Sequence, residues 1–130
     1  MHPLLKSIKA VSEEIRIRIL LLLIDREACV CELMKVFNMA QSKLSHHLIA
    51  LHKAGLLSVE KRGKWHYYSV KSKMNNYNSG LIKLLRKSLD QSEVIKNDRL
   101  KMAKVSKNMR RKIARNNITG VCPECKILKK

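Results

Sequence analysis

Between Leu33 and Val70 the spacing of apolar residues changes once, and that change leaves the chain few folds to choose from. Leu33, Val36 and Phe37 recur at helical spacing and end near Asn38. Asn38-Met39-Ala40 is short enough to turn the chain between two crossing helices. Gln41 to Ala54 then carries Leu44, His47, Leu48 and Leu51 at i, i+3, i+4 and i+7, one stripe of a second helix. Gly55 supplies the stop. Past it the period falls to two: Leu57-Ser58-Val59-Glu60 alternates, Lys61-Arg62-Gly63-Lys64 turns, and Trp65 to Val70 alternates again. Two helices across a tight turn followed by a hairpin is the winged helix-turn-helix arrangement. The expected fold is therefore mainly α with a small β-hairpin.

The flanks extend this pattern. Residues 3 to 10 form a short apolar and basic helix. Ser12 is expected to cap the next helix, whose first turn holds Glu13 and Glu14. Ile15, Ile17, Ile19, Leu20, Leu22 and Leu23 make that helix apolar nearly all round, which implies burial, and Asp25 to Ala28 breaks it. Asn75 to Gly80 reads as a linker. Leu81, Ile82, Leu84, Leu85 and Leu89 mark a further helix, and Ile95, Met102, Val105, Met109 and Ile113 another. The expected organisation is a winged helix-turn-helix domain over 1–90, to which the family resemblance given below adds DNA binding and dimerisation, then a basic C-terminal helix and tail over 91–130 containing Cys122-Pro123-Glu124-Cys125.

The chain has 130 residues and a formal net charge of +18, which predicts attraction to a polyanion. In a helix-turn-helix the second helix enters the major groove and offers the residues near its start to base edges. Here these are Gln41, Ser42, Lys43, Ser45 and His46. Gln pairs bidentately with adenine, while Lys, Ser and His reach bases or phosphates. Lys61, Arg62 and Lys64 at the hairpin tip suit phosphate or minor-groove contact. His47 lies on the apolar stripe and reads as a core histidine. Trp65 and Tyr68 read as hairpin packing. From Lys96 onward twelve Lys and Arg stand against only Asp98 and Glu124, so more than half of the excess charge lies beyond the hairpin. It either tracks phosphates or forms a solvated face.

The longest apolar run, Ile19 to Ile24, is far below the roughly 20 residues a membrane span needs. No secretory signal is evident, so a cytoplasmic location with reduced thiols is expected. Cys29 and Cys31, directly before the first helix of the motif, are then candidate ligands for a soft ion. Each helical residue turns about 100°, so in an ideal helix these two side chains point about 200° apart. On that geometry, chelation requires the first helical turn to distort. An enzyme is not expected: His46, His47 and His52 all fall on the reading helix, and no third group orients a Cys–His pair.

Glu27-Ala28-Cys29-Val30-Cys31-Glu32-Leu33-Met34 resembles the metal box of the ArsR family of metalloregulatory repressors, Glu-Leu-Cys-Val-Cys-Asp-Leu-Cys. Gln41-Ser42-Lys43-Leu44-Ser45-His46-His47-Leu48 is similar to that family's recognition helix. The likeness continues through Ala54-Gly55-Leu56-Leu57 and from Arg62-Gly63-Lys64-Trp65 to Tyr68, covering about Ile8 to Val70. The resemblance implies a homodimer joined through the segments Leu4 to Ala10 and Leu81 to Leu89. It also implies a palindromic double-stranded operator, released when As(III) or Sb(III) binds the thiolates. There is no catalytic cofactor in this scheme.

Two positions depart from the family pattern. The third metal-box thiol falls at Met34, and the serine that opens the recognition helix falls at Ala40. For the missing donor four readings stand open: Cys122 or Cys125 supplies a third thiolate, all four cysteines bind zinc, Cys122 and Cys125 form a redox pair, or the tail is dispensable. Other thiophilic ions (Cd, Pb, Hg, Zn) or redox state are alternative signals. A non-specific basic nucleic-acid-binding protein is the more distant alternative.

Overall fold

Ile19 to Leu23, five consecutive buried residues, form the spine around which the other elements pack. The structure, a computed structural model, describes residues 2–63 and 65–116, with side chains as far as Met109. In chain order the elements are α1 (Pro3–Ala10), α2 (Glu14–Leu23), β1 (Ala28–Cys29), α3 (Val30–Phe37), α4 (Gln41–Lys53), β2 (Leu57–Arg62), β3 (Trp65–Val70), α5 (Asn76–Leu89) and α6 (Glu93–Asn116). This is the winged helix-turn-helix expected from the change of period, with one strand added. The three strands form an antiparallel sheet in the order β1-β3-β2.

The core follows from the apolar stripes. Leu20 and Leu23 of α2, Leu33 and Val36 of α3, and Leu44, Leu48 and Leu51 of α4 meet Leu56 and Leu57 in one buried cluster. Side chains of this size contribute roughly 1.5 to 3 kcal/mol each when fully buried. The turn between α3 and α4 is set by Asn38, whose left-handed φ of 48° ends α3. Asn is among the few non-glycine residues that tolerate this region.

Three local expectations need correction. Ser12 does not cap α2; its hydroxyl donates to the Lys9 carbonyl at 2.7 Å and closes α1, while Glu13 holds the N-cap position without a side-chain bond. The stretch Asn75 to Gly80 is not a linker. Asn75 caps α5 by accepting from the Asn78 N–H at 3.0 Å, and the rest is already helical. Asn78 then donates through Nδ2 to the Ala54 carbonyl at 2.9 Å, satisfying the end of α4. Gly55, at φ +81°, sits where a Cβ would come within 3.3 Å of that same amide, so both conformation and space select glycine. Third, Cys29 is not helical: it lies in β1 and pairs with Tyr67, as Ala28 does with Tyr68.

Helix α6 docks across α2 and α3, and it is the most extensive helix neighbour of α3. It is anchored by Ile95, Met102 and Met109, all buried, and by a bidentate ion pair. Arg18 donates from Nε and Nη2 to Asp98 at 2.9 and 2.8 Å, and its guanidinium lies 5.3 Å from the Phe37 ring centroid. The bond to Asp98 raises the Arg18 pKa despite desolvation. Asp98 is almost fully buried, whereas Arg18 keeps partial access to water. Asp98→Asn is therefore expected to cost about 3 kcal/mol, the low end for breaking a buried pair, because Arg18 can rehydrate. Urea unfolding of the two proteins measures it; an unchanged midpoint would mean that α6 is held by its apolar contacts alone.

Candidate functional site

The second helix of the motif presents the face that the sequence assigns to it. On α4, Leu44, His47, Leu48 and Leu51 are buried, whereas Ser42, Lys43 and His46 are exposed and Gln41 and Ser45 are half-buried at its start. Ala40 holds the N-cap without a side-chain bond, as expected from the missing serine. The first N–H groups of α4 are thus left for another acceptor, and phosphate oxygens suit helix N-termini. His47 is a core histidine: its Nδ1 accepts from Arg16 Nε at 3.1 Å. Desolvation, then the Arg16 charge, lowers its pKa, which keeps the acceptor neutral.

The wing differs from expectation in one charge. Lys61 is exposed and available to a polyanion, and Lys64 lies outside the described residues. Arg62 is already engaged: it donates to both Glu27 oxygens at 2.6 and 2.9 Å, donates to Glu60 at 2.9 Å, and lies 4.7 Å above the Tyr67 ring. These pairs raise the Arg62 pKa and lower that of Glu60. Since Glu27 directly precedes β1, Arg62 ties the hairpin to the segment that carries the thiols. Reaching DNA phosphate requires it to exchange partners.

Cys29 and Cys31 straddle the junction of β1 and α3. Cys29 is the N-cap, with φ −86° and ψ 162°, and its N–H donates to Glu32 Oε1 at 3.1 Å. The Cys29 sulfur faces the Glu32 N–H in return, a capping box with sulfur in place of a hydroxyl. The ideal-helix premise for the pair therefore fails. With the first cysteine extended, both side chains enter one buried cluster together with Trp65 and Met109, flanked by Tyr67 and Val105. Both cysteines are almost completely buried. The two sulfurs differ in state: that of Cys31 is disulfide-bonded, against the expected reduced thiol, so only a Cys29 thiolate would draw on the positive end of the α3 dipole.

Aromatic groups join this cluster to the wing. Trp65 stacks on Tyr67 with centroids 5.5 Å apart and planes 16° from parallel. Tyr67, the strand partner of Cys29, has its pKa pushed up to about 12, first by burial and then by the negative charges of Cys29 and Glu32. Its phenol stays neutral.

Sequence reasoning missed Met109, Tyr67 and Glu27 as neighbours of the thiols. Tyr67 is two residues from Trp65 on an alternating strand, so the two share a sheet face, and that signal was available. Nothing local marks Met109, which reaches the cluster through the docking of α6. Met34, at the third metal-box position, packs instead against the main core. Cys122 and Cys125 lie outside the described residues.

A winged helix with two cysteines at the mouth of its first motif helix defines a class of small regulatory protein. The family model for bacterial regulatory proteins of the arsR family matches residues 13–59. The arsenical resistance operon repressor of Bacillus subtilis (strain 168) is 39% identical over 66 residues, covering 50% of this chain and 63% of that protein. The arsenical resistance operon repressor of Staphylococcus xylosus is 32% identical over 90 residues, 69% of this chain and 86% of its own length. Among solved structures, HlyU from Vibrio cholerae N16961 matches with a TM-score of 0.60 and 30% identity, covering 68% of this chain and 94% of that one. The chain belongs to the arsR family of bacterial regulatory proteins. It spans less than two thirds of the Bacillus relative's length.

Proposed function

We propose that this protein is a homodimeric transcriptional repressor that leaves its operator when As(III) or Sb(III) binds cysteine thiolates, so that arsenic-resistance genes are expressed. The observation that carries the reading is the placement of Cys29 and Cys31. One strand pairing joins them to the wing, and one helix, through Leu33 and Val36, joins them to α4. The names of the Bacillus and Staphylococcus relatives support arsenic as the signal.

Coupling follows from what Cys29 already does, once Cys31 is reduced to a thiol. Cys29 caps α3 and pairs with Tyr67, so an ion that draws the two sulfurs together competes with the capping box and with the β1–β3 pairing. The wing and α4 lose their common support. A ligand shifts such an equilibrium only by its differential affinity for the two states, and about 1 to 3 kcal/mol of coupling weakens DNA binding about 5- to 150-fold. For a third thiolate, Cys122 or Cys125 is the proposed source. Helix α6 carries the chain past the thiols at Met109, thirteen residues before Cys122.

Dimerisation is proposed through α1 and α5. These helices touch each other, and Leu5, Ile8 and Leu84 are exposed on them. The reading residues are Gln41, Ser42, Lys43, Ser45 and His46, with Lys61, Arg62 and Lys64 on the wing.

Footprinting on the DNA flanking the protein's own gene, with and without arsenite, tests this function. The expected result is a protected palindrome that arsenite exposes. Broad protection indifferent to arsenite would instead identify a non-specific basic DNA-binding protein.

A further inference from the structure

Helix α6 presents two unlike faces. At about 100° per residue, the buried Ile95, Asp98, Met102, Ser106 and Met109 share one stripe, roughly 200 to 280° round the helix from Lys96. Lys96, Lys101, Lys104 and Lys107 are all exposed and fall in the opposite arc, within about 140° of one another. At about 1.5 Å per residue they run along about 16 Å of helix. None of the four makes an ion pair among the described residues, whereas Arg99, between the two faces, is taken by Asp90. The carboxylates of α6 are Glu93, in its first turn, and Asp98, buried against Arg18. Helix α3 touches both α4 and α6, while α4 and α6 make no comparable contact among the described residues. The lysine row is therefore a second cationic surface, separated from the reading helix by α3.

We propose that this row holds a second DNA duplex, so that the protein bridges two segments of DNA. The inference goes beyond the operator reading, which concerns α4 and the wing. A duplex carries about one negative charge per 1.7 Å of axis, so a row of lysines meets phosphates along its whole length without reading a base. Lysine is a point charge on a flexible stem, which suits such contact.

Other occupants fit the face less well. A second copy of the chain brings 28 Lys and Arg against 10 Asp and Glu, so it repels rather than complements. A protein partner needs an apolar centre inside a polar rim. Leu100, 62% exposed, is the single large apolar residue within the lysine arc, and one such residue is ordinary on a surface. An anionic membrane needs an apolar helix face to take up, and that of α6 is already packed on α2 and α3.

The experiment loads the full chain onto beads carrying a duplex from the DNA flanking its own gene, washes them, and adds a fluorescent duplex of unrelated sequence. The natural chain is expected to capture the label at low salt. A variant combining Lys96→Gln, Lys101→Gln, Lys104→Gln and Lys107→Gln is expected to stay on the beads in equal amount and to unfold at the same urea midpoint. It should nonetheless bind the label at least about tenfold more weakly, and the salt slope of capture should flatten by about 0.9 per lysine removed. Equal capture by the variant, or no capture by the natural chain, would overturn the proposal. Loss of the variant from the beads would also overturn it, by placing α6 on the first duplex. Capture of labelled poly-glutamate with the duplex refused would identify an acidic protein as the occupant instead.

Footprinting keeps the two readings apart. Broad protection indifferent to arsenite, with label still captured through α6, removes the operator reading and leaves this one standing. A protected palindrome that arsenite exposes, with no label captured, does the reverse.

Discussion

With Cys29 and Cys31 both replaced by serine, the protein is expected to bind its operator as the natural chain does and to ignore arsenite entirely. The natural chain should lose about 5- to 150-fold in affinity when the effector binds; the variant should lose none. Serine removes the soft donors and keeps much of the shape. At position 29 it also keeps the capping role, since serine is a preferred N-cap and its hydroxyl can accept from the Glu32 N–H that the sulfur faces. Position 31 is less forgiving. It is 1% exposed and its sulfur is disulfide-bonded, so serine there removes a cross-link, typically about 2 to 4 kcal/mol. The single variants therefore separate signal from stability: Cys29→Ser should silence the response with an unchanged unfolding midpoint, and Cys31→Ser should silence it with a lower one. Fluorescence anisotropy of a labelled operator, with arsenite titrated in, reads the response. Undiminished release from the double variant would remove this thiol pair from the mechanism.

What the sequence made legible was the part of the fold governed by period. The stripe Leu44, His47, Leu48, Leu51 and the alternation on either side of Gly63 placed α4 and the hairpin within a residue or two, because each pattern is local and each buried face is continuous. The same stripe identified His47 as core and left Ser42, Lys43 and His46 outside. The failures are of one kind. β1 is two residues long and exists because Tyr67 and Tyr68, some forty positions later, offer it a free edge. No propensity over two residues could announce it, and missing it led to the helical geometry assigned to Cys29. Arg18 and Asp98 are eighty positions apart, and Lys35 and Met109 seventy-four. Docking of α6 decides these pairs, and its apolar positions show only that some face is buried, not against what. Ser12 failed for a different reason. A hydroxyl between two helices can close the first or open the second, and here it bonds back to Lys9.

Operator affinity is expected to fall about a thousandfold or more as salt rises from 50 to 200 mM, the loss typical of proteins making about six to ten phosphate contacts. A chain of charge +18 has enough cations for that many, but their positions decide which ones act. Lys43, His46 and Lys61 are exposed on the reading helix and wing. Arg62 contributes less than a free guanidinium, because the carboxylates of Glu27 and Glu60 already neutralise it and must be given up before phosphate is taken. Helix α6 holds much of the remaining charge, including the exposed Lys101, Lys104 and Lys107. It docks on α2 and α3 and makes no comparable contact with α4 or β2 among the described residues, so these lysines stand apart from the reading face. Replacing all three with glutamine is accordingly expected to leave the slope of log affinity against log salt within about one unit, whereas Lys43→Gln with Lys61→Gln should flatten it by about two per protomer. Binding measured across the salt series for the three proteins decides between these distributions. A slope that collapses in the α6 variant would place that helix on the phosphates, and a flat slope in the natural chain would mean that these charges do not contact DNA at all.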